Sequence, residues 1–133
     1  IDDIWFDPNK EELVVVDYKA QSNSTPVETE RYLNNIYHQG YKIQMDVYVH
    51  ILRKMNFKVS DTSYFYVCNA DRNYKKFDGK LNFTTTLVPY KTNTSWIDEK
   101  IAEMKLTLDS ENVPEINKSC ERCMYLNAGK DFI

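Results

Sequence analysis

The chain has 133 residues, 42% of them hydrophobic and 28% charged, with a formal net charge of −3. Its length is that of one domain able to bury a core, and its balance is that of an ordinary globular protein. It excludes a strongly basic nucleic-acid-binding tail and, with no apolar run near ~18 residues, a membrane-spanning helix.

Ile4-Trp5-Phe6 followed by Asp7-Pro8-Asn9-Lys10 reads as a short strand and a turn. Residues 13–19 form the next strand, so the two make a hairpin. The polar stretch 21–26 is a loop leading to a helix. A short helical segment is expected over 30–37, and Gly40 then starts or kinks a longer helix. On that helix Tyr41, Gln44, Met45, Tyr48, Ile51, Leu52 and Met55 recur at three- and four-residue steps. Residues 62–68 and 81–88 are two more strands, with Asp78-Gly79 as the turn between them. Ser95 is the expected N-cap of a helix with Asp98 at its third position, and Ile97, Ile101, Met104 and Leu108 mark its apolar face. The order strand, strand, helix, strand, strand, helix predicts a mixed central β-sheet flanked by helices, an α/β or α+β architecture.

Chemistry concentrates where the β-branched run Leu13-Val14-Val15-Val16 ends in Asp17-Tyr18-Lys19. Alternation puts the carboxylate of Asp17 and the ammonium of Lys19 on one face of the strand. Asp2, on the expected partner strand, supplies a second carboxylate. Two carboxylates suit Mg²⁺, which favours hard oxygen ligands. A nearby lysine can orient a water or stabilise charge on a phosphate. The motif by itself is common: Asp78-Gly79-Lys80, Asp98-Glu99-Lys100 and Glu103-Met104-Lys105 repeat it, where about one match is expected by chance. Only Asp17 ends an apolar strand. On pattern alone, a structural salt pair between Asp17 and Lys19 remains open. His38 and His50, twelve apart, read as structural residues, and three glycines leave no phosphate-cradling loop.

Three motifs in order change the balance: Ile1-Asp2-Asp3-Ile4, the run ending in Asp17-Tyr18-Lys19, and Gln44-Met45-Asp46-Val47-Tyr48. Together they resemble the PD-(D/E)xK nuclease superfamily, and within it the RecB-type exonuclease branch that includes CRISPR-adaptation nucleases. The resemblance implies a restriction-endonuclease-like core and a metal-dependent nuclease that hydrolyses DNA phosphodiester bonds. It implies Asp2 and Asp17 as ligands of Mg²⁺ or Mn²⁺, Lys19 as the catalytic lysine, and Gln44 and Tyr48 completing the site. Gln44 and Tyr48 lie one helical turn apart on a shared face. A catalytically inactive module of the same fold, holding DNA or a partner protein, is the alternative. A cytoplasmic setting without membrane is expected, since three cysteines suit no disulfide framework. A homodimer or a larger repair or defence complex fits the same reading.

Two departures from the family pattern stand out. The family places a helix with an acidic residue before its first Asp motif, so residues 1–133 are expected to form a single nuclease-like domain lacking that N-terminal helix. Asp3 adjoins Asp2, and a ligand could slip by one, although strand alternation points the two oppositely. Some members also carry an iron–sulphur cluster on four cysteines. Cys120 and Cys123 match two of these, Gly129 stands where a third is expected, and Cys68 lies on a predicted core strand. Two cysteines do not hold such a cluster, so none is expected.

Overall fold

A computed structural model of the chain describes residues 1–73 and 79–129. It divides into two compact units, Ile1–Ile97 and Asp98–Ile133.

In the first unit, β1 (Asp3–Asp7) and β2 (Glu12–Gln21) pair antiparallel, with Asp3 opposite Val16 and Asp7 opposite Glu12. The turn joining them is fixed by Asp7, whose Oδ1 accepts from the backbone N–H of Asn9 at 2.9 Å, and by Glu11 in the left-handed region at φ 51°. The chain then makes α1 (Thr29–Asn34), a single 3₁₀ turn at Ile36–His38, and α2 (Gln39–Lys54). It re-enters the sheet as β3 (Thr62–Ala70), parallel to β2, and finishes it with β4 (Phe83–Lys91), antiparallel to β3. The strand order β1-β2-β3-β4 is the expected mixed sheet with flanking helices, an α/β restriction-endonuclease-like fold.

The core sits between the sheet and α1 and α2. Val15 of β2, Phe65 and Val67 of β3 and Val88 of β4 meet Tyr32 of α1 and Met45, Val49 and Leu52 of α2. Met45, Val49 and Leu52 recur at four- and three-residue steps, so one stripe of α2 faces the sheet. By alternation, Leu13, Val15, Asp17, Lys19 and Gln21 share that helix-covered face of β2. The opposite face is aromatic: Trp5 stacks on Tyr64 with ring centroids 6.3 Å apart, and Tyr18 meets Tyr66 edge-on at 5.3 Å. The expected pairing of the 62–68 segment with a later strand holds, but β4 runs Phe83–Lys91 rather than 81–88. It carries Pro89, which an edge strand tolerates because its missing N–H costs no ladder bond on the open side.

The second unit contains most of α3 (Ile97–Asp109) and all of α4 (Glu121–Ala128). Ser95 lies two residues before α3, and its backbone N–H and hydroxyl both donate to Asn93 Oδ1. On α3, Lys100 pairs with Glu103, and Lys105 with Asp109 at 2.6 Å, so the repeated Asp/Glu-x-Lys matches there belong to a charged helix face. Asp78 of the remaining repeat, like the turn placed at Asp78-Gly79, lies outside the described residues; Gly79 is described and has φ 84°. Among the described residues, no helix is long and apolar enough to cross a membrane.

Candidate active site

Asp17 and Lys19 project from the C-terminal half of β2 toward α2. Their neighbours on the strand, Val15 and Val16, are fully buried, which draws Asp17 into the core at 2% exposure. The Lys19 ammonium forms an ion pair with Asp17 Oδ2, a buried atom with no other partner among the described residues. Burying a carboxylate is costly unless it is paired.

The ammonium is held from the helix side. Lys19 Nζ donates to Gln44 Oε1 at 3.2 Å, and Gln44 Nε2 donates to Tyr48 Oη at 2.6 Å. A lysine has only donors, so the Gln44 oxygen must face it and the amide nitrogen must face Tyr48. The ring of Tyr41 lies under the same ammonium, 4.4 Å from centroid to Nζ, a cation–π contact. His38 backs that ring at 5.2 Å and 23°, and is itself fixed by Nδ1 at 2.8 Å from the Tyr32 carbonyl oxygen. Burial first, then the nearby Tyr41 and Asp17, push the Tyr32 phenol far above its ordinary range, so it stays neutral.

Asp2 joins this group from the sheet edge. Continuing the β1–β2 register by one residue sets Asp2 opposite Asp17 on the same face. Its Oδ2 accepts the backbone N–H of Tyr18 at 2.7 Å. Asp3 points the other way, as alternation requires: its Oδ2 accepts from Tyr18 Oη at 2.8 Å and from Trp5 Nε1 at 2.9 Å. Those bonds, Tyr18 first and Trp5 second, hold the Asp3 carboxyl below its usual range and raise the Tyr18 phenol. The slip from Asp2 to Asp3 is thus opposed by geometry.

Asp17, Lys19, Gln44 and Tyr48 are therefore in contact in sequence, and Asp2, just before β1, bonds the Tyr18 N–H beside them. Tyr41 was named in the sequence only as one residue of a helical stripe. Its spacing from Gln44 and Tyr48, three and seven residues, is the signal that places it on their face. The carboxylates of Asp2 and Asp17 are the hard oxygen donors that could hold a divalent cation. Among the described residues, no group of three or more His, Cys, Asp or Glu side chains is arranged as a metal site.

Cys120 caps the N-terminus of α4 without a capping hydrogen bond, and Cys123 follows in the first turn. Both thiols are unbridged. The N–H and thiol of Cys123 and the N–H of Arg122 hold the Cys120 thiol below its usual range, whereas Cys123 is raised by its neighbour Cys120.

The second strand of the mixed four-stranded sheet thus carries a buried Asp-x-Lys. The chain belongs to the PD-(D/E)XK nuclease superfamily, whose family model matches residues 1–128. Members are typically hydrolytic nucleases and generally use divalent metals. No curated protein and no solved structure gave a match.

Proposed function

We propose that this chain is a metal-dependent deoxyribonuclease of the RecB-type exonuclease branch, with Asp2, Asp17, Lys19, Gln44 and Tyr48 as its site. The observation that supports the reading is the contact series Asp17–Lys19–Gln44–Tyr48, with the Asp17 carboxylate buried at its head. Asp2 and Asp17 would hold Mg²⁺ or Mn²⁺. When bound, such an ion supplies an acidified water and neutralises charge on the scissile phosphate.

The protein's own part is positioning. Lys19 offers N–H donors toward charge that builds on the phosphate oxygens, the arrangement that gives the largest share of many rate enhancements. Gln44 and the Tyr41 ring restrain the ammonium from two sides, so its long side chain loses little further freedom on reaction. Tyr48 fixes the orientation of the Gln44 amide. Asp2 accepts the Tyr18 N–H and so ties the edge strand beside Asp17.

The test is Mn²⁺-dependent degradation of linear DNA. Wild type degrades it, and Asp17→Ala and Lys19→Ala do not. Equal cutting by both variants overturns the site assignment. A chain that neither cuts nor binds Mn²⁺ in a titration is instead the non-cutting module of the same fold.

A further inference from the structure

The Lys19 ammonium ends a long, flexible side chain and is a point charge with no fixed direction of its own. It is restrained by the Asp17 carboxylate, by the Gln44 amide oxygen at 3.2 Å and by the Tyr41 ring at 4.4 Å. A carboxylate that also holds a divalent ion has less charge to offer an ammonium. The two neutral groups then carry more of the placement, so what holds Tyr41 matters to the site.

Among the described residues, two rings touch that of Tyr41. Phe65, 1% exposed on β3, lies 6.5 Å away at 52°. His38 lies closer, 5.2 Å away and nearly parallel at 23°. That is the offset stack that flat rings favour. His38 is thus the nearer of the two walls that set the plane of Tyr41.

His38 is itself fixed at both backbone and ring. Its backbone N–H donates to the Asn35 carbonyl oxygen at 3.0 Å, closing the 3₁₀ turn between α1 and α2. Its Nδ1 lies 2.8 Å from the Tyr32 carbonyl oxygen. A carbonyl only accepts, so Nδ1 carries the hydrogen and donates it. The imidazole also leans on the Tyr32 ring, with centroids 4.1 Å apart. It lines a cavity of about 270 Å³, so packing does not enclose it on every side and the bond to Tyr32 sets its place.

On the nuclease reading above, we infer that His38 is a positioning residue of the same site. It sets the Tyr41 ring, and through that ring the Lys19 ammonium, without touching substrate or metal. A ring free to tilt away from His38 lets the ammonium drift, and misplacing a group that stabilises developing charge is costly. A merely structural histidine would act by its bond to Tyr32 alone, and any side chain that keeps the donor would replace it.

The experiment separates ring from donor in the full chain. His38→Asn keeps an N–H for the Tyr32 carbonyl and removes the ring, whereas His38→Phe keeps a flat ring and cannot donate. Cleavage of linear DNA with Mn²⁺ gives kcat and KM. Proton NMR without metal follows the Lys19 Hε signal, which the current of the nearby Tyr41 ring moves upfield. His38→Asn lowers kcat about tenfold with KM unchanged, and its Lys19 Hε signal moves downfield. His38→Phe, counted per folded molecule, rescues both kcat and the signal while unfolding at lower denaturant. Wild-type kcat in His38→Asn, equal losses in the two variants, or a Lys19 signal that stays in place overturns the inference and leaves Mn²⁺-dependent cutting by the wild type standing. A wild type that does not cut overturns the nuclease reading and this inference with it.

Discussion

Two buried aspartates on the same core behave in opposite ways. Asp46, on α2, is 5% exposed, and each of its oxygens has a donor: the Asn93 N–H at 2.9 Å and Trp96 Nε1 at 3.1 Å. Tyr90 faces it too, and burial together with that carboxylate pushes the Tyr90 phenol far up. Asp17, on β2, is buried more deeply, and its Oδ2 meets the Lys19 ammonium. Burying a carboxylate is costly unless its acceptors are satisfied. At Asp46 neutral donors satisfy them, and the fold gains a staple between α2 and the segment after β4. At Asp17 the partner is a cation, which is the contrast the proposed site draws on.

Activity gives the largest test of that contrast. Asp17→Ala and Lys19→Ala should each lose about a thousandfold in metal-dependent cleavage, the scale of removing one well-placed electrostatic group. Asp46→Ala, measured per folded molecule, should keep it. Comparable losses in all three would erase the distinction.

Stability should run the other way. Asp46→Ala strands buried donors and should cost roughly 2–3 kcal/mol in denaturant unfolding. Asp17→Asn removes a buried charge but also the partner of the Lys19 ammonium, two opposed effects, and should cost less than Asp46→Ala does. A larger loss at Asp17 would make it a structural acid after all.

Tyr41 refines how Lys19 is held. Tyr41→Phe keeps the ring and should cleave like wild type, whereas Tyr41→Leu should lose about tenfold, the worth of a partly desolvated cation–π contact. Equal rates in the two variants would leave Gln44 as the main restraint on the ammonium.

The smallest effect concerns the exposed acid. Asp3 is held below its usual pKa by Tyr18 and Trp5, so its contribution to folding is present above its unfolded pKa and fades as pH falls through the lower folded value. Tyr18→Phe should move the Asp3 titration midpoint, followed by NMR, upward toward the ordinary carboxylate value. No movement would mean that the Trp5 bond alone sets it.

Legibility in the sequence followed the range of the interaction. β2 and its terminal Asp17 and Lys19 could be read because a β-branched run and a two-residue alternation are local. Gln44 and Tyr48 could be read because four residues make one helical turn. Met45, Val49 and Leu52 show why the helix sits where it does, and the spacing of Tyr41 from Gln44 and Tyr48 gives its face but not its contact with the Lys19 ammonium. Asn69 was invisible as a brace for residues 21–25, because its partners lie more than forty positions away. α4 went unread because its eight residues carry no sustained apolar period.

The parallel pairing of β2 with β3 has a consequence for the order in which the molecule matures. The two strands are joined through residues 22–61, so a long loop must close before Asp17 gains Phe65 as its neighbour. Asp17 and Lys19 leave the ribosome before β3, so their setting is finished only once β3 has arrived. A half-folded chain thus holds the Asp17–Lys19 pair without the strand that encloses it.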